Sequence, residues 1–376
     1  MHPIVCLDRG FSSRFDTEFG WLSKGIEFQV DHSDQLKNGL RYLAGQAREG
    51  AWVVFTLNYE AAFHLMDLPK HVAETQPSKT YLKAYIYSEA PQPIAVDQAP
   101  ATQFPHWETP DFAHYRNAFK QIQDAIQAGV CYQVNHTFRL YGQSDIPPWD
   151  LYRTLLETQP ANYGAFIDFK EHQVLSRSPE LFVEKRGDHL RSEPMKGTAA
   201  RDSDEGKDQF ILEQLLSDTK MQAENLMIVD LIRNDLSRVS KPHSVQVSRL
   251  FEPRSLKSVH QVSSVIESTL QSKVDSSQLI EALFPCGSVV GAPKAKAFEL
   301  IQKLESDQRE LYTGSVGFLE PCGDMTLSVA IRTVEQSGSR VQLGLGSGLV
   351  ADSSLEEEWN ECLLKGRFCG VDNSCN

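Results

Sequence analysis

The sequence predicts an α+β fold rich in antiparallel strands, on three observations. Most segments that read as strands follow one another with no helix between them, unlike the strict alternation of a doubly wound parallel sheet. The chain has 376 residues, 41% of them hydrophobic, enough for a large sandwich to form as one domain. It contains no internal repeat and no low-complexity tract.

Residues 51–63 read as a buried strand and a turn. From residue 88 to 110 the chain carries Pro91, Pro93, Pro100, Pro105 and Pro110 without periodicity, which predicts an extended connection. The internal boundary is placed there: residues 1–110 form a short N-terminal subdomain and connection, residues 111–370 the main body, packed as one integrated domain. Phe112, Tyr115, Phe119, Ile122 and Ile126 recur at helical spacing before a Gly129 stop. Residues 131–142 alternate as a strand, with Tyr132, Val134, Phe138 and Leu140 on one face. Further helices are expected near 150–158, 208–235, 275–283, 293–305 and 354–368. Further strands are expected near 162–168, 173–176, 181–185, 244–251, 258–268, 313–319, 325–335 and 340–350.

The formal net charge of −13 argues against a phosphate-backbone partner. The seven cysteines are scattered, without a C-x-x-C pair, which favours reduced thiols over disulfides or zinc. The first residues lack the apolar core of a leader, and no apolar run reaches membrane-spanning length. A soluble, cytoplasmic protein is expected.

Five constellations could carry chemistry. Ser354 and Glu357 suggest a capping box, placing Glu358, Glu361 and Lys365 on one helical face. That face is either solvated or, after the glycine-rich strand 343–350, part of a site. Glu224 shares a face with Ile228 and Leu231, so it is either a helix-end charge or an inward hard-cation ligand suited to Mg²⁺. Lys196, between Pro194-Met195 and Gly197-Thr198, sits on a constrained turn; it is an exposed loop residue or, if desolvated, an amine nucleophile. Glu180 follows Pro179 near the head of a strand and is an ordinary loop residue or a general acid. Gly287 to Lys294 lacks the Walker spacing, so nucleotide binding is rejected; the helix behind Pro293 could seat a carboxylate.

Together and in this order, the motifs AGVCYQVNHT, SRSPELF, PMKGTAAR, AENLMIVDLIRNDLSRV, SVHQVSSV, FPCGSVVGAPKAKAFELI, LYTGSVGF and GLGSGLVADSSLEEEWNECLLK resemble the chorismate-utilising enzyme family. The resemblance runs from Phe112 to Phe368 and implies a large antiparallel β-sandwich core flanked by helices. It also implies Mg²⁺ held by Glu224 and Glu361, with Glu358 assisting through water. Arg332, Tyr312, Lys365 and the backbone near Gly346 and Gly348 match the family's carboxylate-binding positions. His260 matches a histidine near the ring, Thr198 adjoins the site, and Gly291 and Ala292 would line the pocket. Glu180 matches the acid that protonates a departing C4 hydroxyl.

Two positions sort the members of the family. Gln133 stands where isochorismate and salicylate synthases carry a water-activating lysine. Lys196 stands where anthranilate synthases have alanine and aminodeoxychorismate synthases have lysine. The resemblance thus implies conversion of chorismate and ammonia to 4-amino-4-deoxychorismate, for 4-aminobenzoate and folate, through a Lys196 adduct. Anthranilate formation is the alternative. No G-x-C-x-G glutaminase motif is present, so ammonia would come from solution or from a separate glutamine amidotransferase subunit. Met221 departs from the family, which often has a glutamate there.

Overall fold

The computed structural model describes residues 2–66, 80–99, 102–255 and 259–371. In chain order, the N-terminal third supplies β1 (Val5–Leu7), β2 (Phe19–Trp21), β3 (Ile26–Val30), α1 (Leu36–Arg48), β4 (Trp52–Leu57), α2 (Ala62–Leu65), β5 (Leu82–Tyr87), β6 (Gln92–Pro93) and β7 (His106–Trp107). There follow α3 (Phe112–Gln127), β8 (Gln133–Gln143), α4 (Pro148–Thr158), β9 (Tyr163–Asp168), β10 (Gln173–Ser178), β11 (Leu181–Arg186), β12 (His189–Glu193), β13 (Met195–Ala200), α5 (Glu205–Ser217) and α6 (Thr219–Ser237). The chain then forms β14 (Gln246–Ser255), β15 (Val259–Thr269), α7 (Ser276–Leu283), β16 (Gly291–Ala292), α8 (Lys294–Leu304), β17 (Ser315–Leu319), β18 (Met325–Val329), β19 (Thr333–Ser337), β20 (Arg340–Leu349) and α9 (Leu355–Gly366).

These strands make two 10-stranded sheets. The first runs β16-β8-β20-β19-β10-β9-β1-β2-β6, with β7 beside β8; the second runs β13-β15-β12-β11-β18-β17-β4-β5-β3, with β14 beside β15. Alternation along single strands explains the layering. In β1, Val5 and Leu7 enter the core between the sheets, while Cys6 enters the outer core beneath helices. In β4, Trp52 and Val54 face the inner core and Val53, Phe55 and Leu57 the outer one. Because both faces are covered, β4 is buried at every position and reads as an apolar run. The inner core is aromatic: Trp21 stacks on Tyr87 at 4.1 Å, and Phe318 lies against Phe19 and Trp52. Helices α1, α6 and α7 cover the second sheet, α4 and α9 the first, and α8 packs on β8 and β16 at the edge of the first.

The antiparallel, helix-flanked architecture agrees with the expected fold class. Four expectations need correction. Residues before 110 were read as little more than one strand, yet they put strands into both sheets. Tyr132 does not join the buried face of β8; it precedes the strand and is exposed. The single helix expected over 208–235 is two, because Asp218 is extended and caps α6 by accepting from the Lys220 and Met221 N–H groups. The strand expected over 325–335 is also two, in different sheets, because Arg332 takes φ +52° and turns the chain between them.

The six described cysteines are all unpaired. Among the described residues no helix is long and apolar enough to cross a membrane.

Candidate active site

The site is built where the chain passes from one sheet to the other. β10 ends in the first sheet at Ser178, and β11 starts in the second at Leu181, so Pro179 and Glu180 form the crossing. β18 and β19 are joined by a second crossing through Ala330 to Arg332. The crossings are tied together. Ser178 Oγ donates to Val329 O at 2.6 Å, and Val329 N to Glu180 O at 3.1 Å. Glu180 is only 4% exposed. Burial pushes its carboxyl up to about 7, although the Ser288 hydroxyl, donating to Oε1 at 2.7 Å, and the Lys196 and Lys365 charges all pull the other way. A carboxyl with that poise is half protonated near neutrality and can give or take a proton.

Lys196 is not on a turn as expected; it lies in β13, where the pairing with β15 slips between Met195 and Thr198. The slip is a bulge at Lys196-Gly197, with Gly197 at φ +92° against the Met221 side chain. A bulge re-aims the lysine away from the ladder. Its Nζ lies 3.7 Å from Glu224 Oε2 on α6, and both side chains are mostly buried. The side chain of Thr198 lies outside the described part of the chain. Opposite Lys196 stands Gly348 of β20. A Cβ there would come within 2.9 Å of Lys196 Nζ and 2.5 Å of Gln133 Nε2. We expect Gly348→Ala to leave melting temperature within a few degrees, since flexible side-chain ends can yield. Displacing the lysine by about 1 Å should cut turnover by roughly 10²-fold. Thermal melts and steady-state kinetics check this; an unimpaired Gly348→Ala enzyme would show that the amine needs no such space.

Three carboxylates lie beyond Lys196. Burial raises the Glu224 carboxyl despite Lys196 and Lys220, and Glu358 and Glu361 raise it further. Glu358 accepts from Ser353 Oγ at 2.6 Å and lies 3.9 Å from Lys220. Burial would also raise Glu361, but Lys365, at 2.6 Å, holds its carboxyl below the usual range. Ser354 caps α9 by accepting from Glu357 N, which fixes where these carboxylates fall on the helix. Among the described residues no three His, Cys, Asp or Glu side chains are grouped closely enough to hold a metal on their own. The donor chemistry nonetheless fits Mg²⁺, a hard ion that takes one or two carboxylates and completes its shell with water and substrate oxygens.

From the same helix as Glu361, Lys365 Nζ also donates to Gly346 O at 2.8 Å, so it joins α9 to β20. Arg332 lies over the Phe368 ring at 5.8 Å, and its guanidinium has one hydrogen bond among the described residues, to Gln159 at 3.4 Å. Desolvation lowers its pKa, with Tyr312 and Glu361 acting in the opposite sense. A cation so thinly partnered suits a carboxylate ligand. Tyr312 packs its ring against Gly344, where a Cβ would come within 2.0 Å. Gly291 and Ala292 pair with Val134 and Gln133, which brings the segment after Ser288 to the same strand end.

His260 lies in β15, paired with β13. Its nitrogens are bound to Ser255 Oγ at 2.8 Å and Asp208 Oδ1 at 2.9 Å, so both are committed to the fold. Lys294 also turns away, to Asp235 at 3.0 Å. Sequence reasoning missed Ser288, whose place in the quoted Gly-Ser-Val-Val-Gly segment was the available signal. The Gln133 amide, singled out in the sequence, is fully buried with neither end bonded among the described residues.

A cleft between two antiparallel sheets, with a buried acid, a bulge-borne lysine and a fan of glutamates, is the class of site found here. The chorismate binding enzyme family matches residues 26–369, and the chain belongs to that family. It is 38% identical to aminodeoxychorismate synthase component 1 of Salmonella typhimurium over 67% of this chain and 55% of that protein. It is 34% identical to anthranilate synthase component 1 of Aquifex aeolicus over 69% of this chain and 54% of that protein. The chain thus spans little more than half the length of the curated relatives it matches. The fold is also that of anthranilate synthase component I from Streptococcus pneumoniae, with TM-score 0.76 and 23% identity, covering 100% of this chain and 91% of that one.

Proposed function

We propose that the chain is a cytoplasmic synthase that aminates chorismate at C4, giving 4-amino-4-deoxychorismate for 4-aminobenzoate and folate synthesis. The observation that carries this is Lys196, turned by a bulge into a gap kept open by Gly348, within 3.7 Å of Glu224. The Lys196 amine attacks C2, the ring double bonds shift, and the C4–O bond breaks. The leaving hydroxyl departs as water with the proton of Glu180. Ammonia then adds at C4 and expels the Lys196 amine from C2, so that chorismate and ammonia become product and water. Two moderate barriers replace one difficult displacement. Arg332, Tyr312 and Lys365 hold carboxylate groups and fix the ring against both reacting side chains. Glu224 and Glu361, with Glu358 through water, would hold Mg²⁺, whose charge neutralises a substrate carboxylate. Ammonia is supplied by a separate glutamine amidotransferase subunit or from solution.

Incubation with chorismate, magnesium and ammonium, with and without an aminodeoxychorismate lyase, tests the reading by mass analysis. Aminodeoxychorismate is expected alone, and 4-aminobenzoate with the lyase. Fluorescent anthranilate without any lyase would overturn the assignment to C4. Glu361→Gln is expected to raise the magnesium needed for half-maximal rate by on the order of 10–100-fold. An unchanged magnesium titration would remove Glu361 from the ligand set.

A further inference from the structure

Behind the glycine-rich wall of the cleft, three polar side chains meet in an otherwise apolar core. Gly346 and Gly348 share one face of β20, and Ser347 points to the other, away from the Lys196 gap. There Ser347 Oγ lies 3.2 Å from the Tyr115 hydroxyl of α3, and Cys362 Sγ of α9 donates to that hydroxyl at 3.9 Å. Tyr115 is 1% exposed, Ser347 and Cys362 not at all. Leu140, Leu343, Leu345, Trp359 and Leu363 belong to the same core. Burial raises both the phenol and the thiol, so each keeps its proton and remains a donor.

Packing alone does not call for these groups. Phenylalanine at 115 and alanine at 347 and 362 would fill nearly the same space, and a buried hydroxyl costs stability unless it is bonded. What the trio adds is direction: satisfied polar contacts in a core admit one arrangement where apolar contacts admit several. Direction matters on β20. Its pairing with β19 covers Arg340–Leu343 and stops there. From Gly344 to Leu349, among the described residues, the strand pairs with β8 alone. Three of those six residues are glycines, which have no side chain to hold the strand. On the cleft side Lys365 reaches Gly346 O, and on the core side Ser347 is held by Tyr115.

We propose that the Tyr115 hydroxyl, through Ser347, is a positioning group that holds Gly348 where it leaves room for Lys196. Cys362 directly follows Glu361, so the same hydroxyl ties the glycine strand to the helix of the carboxylates. Buried beneath the strand, Tyr115 acts on the gap only through its neighbours. Its effect on rate rests on the amination reading; its effect on the order of the strand does not.

Two measurements keep these apart. Hydrogen exchange needs no substrate. In Tyr115→Phe, which keeps the ring against Trp359 and Phe138, the amides of 344–349 should exchange about 10-fold faster, with those of β10 unchanged. Kinetics well below the melting temperature should show kcat lowered about 10-fold and the calorimetric affinity for chorismate within about 2-fold of the parent. Ser347→Ala should do the same, and serves if Tyr115→Phe folds poorly. The double variant should lose no more than either single one, because both remove one contact. A hydroxyl that only supports the fold would lower the melting temperature and leave kcat untouched, and that result overturns the proposal. So would unchanged exchange at 344–349, or rate losses that multiply in the double variant. A parent that makes no aminodeoxychorismate would sink the amination reading, while the exchange result would still decide whether Tyr115 anchors the strand.

Discussion

Lys196→Ala is expected to lower ammonium-dependent amination of chorismate by on the order of 10³-fold or more, with chorismate affinity changed less than about 10-fold. The reason lies in the surroundings of Nζ. It occupies a gap lined by Gly348 and the Gln133 amide, and its one ion pair among the described residues is with Glu224. The neighbouring amines are committed elsewhere: Lys365 to Glu361 and Gly346 O, and Lys220 beside Glu358. No second lysine can substitute without dismantling those contacts. Arginine would not restore the rate, because a guanidinium stays protonated and offers no lone pair. Binding should persist, since Arg332, Tyr312 and Lys365 are untouched. Titration calorimetry with chorismate and steady-state rates separate the two quantities. A Lys196→Ala enzyme within tenfold of the parent rate would end the nucleophile assignment.

Glu180→Gln should lower turnover by about 10²–10⁴-fold, the range for losing a positioned general acid. It should also change the pH profile. The protonated form of Glu180 is the donor, so kcat/KM in the parent falls as pH rises through about 7. In the variant that limb disappears. Stability should move the other way. The folded-state value is raised from 4.5 to about 7, so the native state holds its proton more tightly than the unfolded chain. The resulting stabilisation is full below the unfolded value and is lost as pH rises through about 7. Glutamine carries no such penalty, so at pH 8 the variant should be more stable than the parent by about 1–3 kcal/mol. Denaturant melts at pH 5 and pH 8 check the sign. Equal pH dependence in both proteins would place the titration on another group.

How much was legible depended on whether a feature is local. The helices at 112–127, 276–283 and 355–366 declare themselves by spacing and caps, and the structure puts their boundaries within a few residues of expectation. β4 shows as an apolar run inside residues 51–63, but β5 went unread, because a strand covered on both faces loses its alternation. The break at Arg332 was invisible, since a non-glycine residue at positive φ leaves no compositional mark. At the site, Glu180, Lys196, Glu224 and Glu361 could be nominated one by one. Their convergence could not be read off, because it depends on a bulge that aims Lys196 across the gap between two sheets. Nor could the fate of His260 be foreseen, since Asp208 lies 52 residues away in sequence.

The long ladder between β8 and β20 joins residues 134–143 to 340–349, and β4 pairs with β17 some 260 positions later. During synthesis each early strand has a partner on one side, β5 beside β4 and the short β7 beside β8, while the other side waits for a strand made far later. Such delayed closure slows folding and leaves sticky edges waiting in a crowded cell. The nascent polypeptide should therefore depend on chaperones until β20 has been made. Its catalytic gap, walled by Gly348, would be among the last features to assemble.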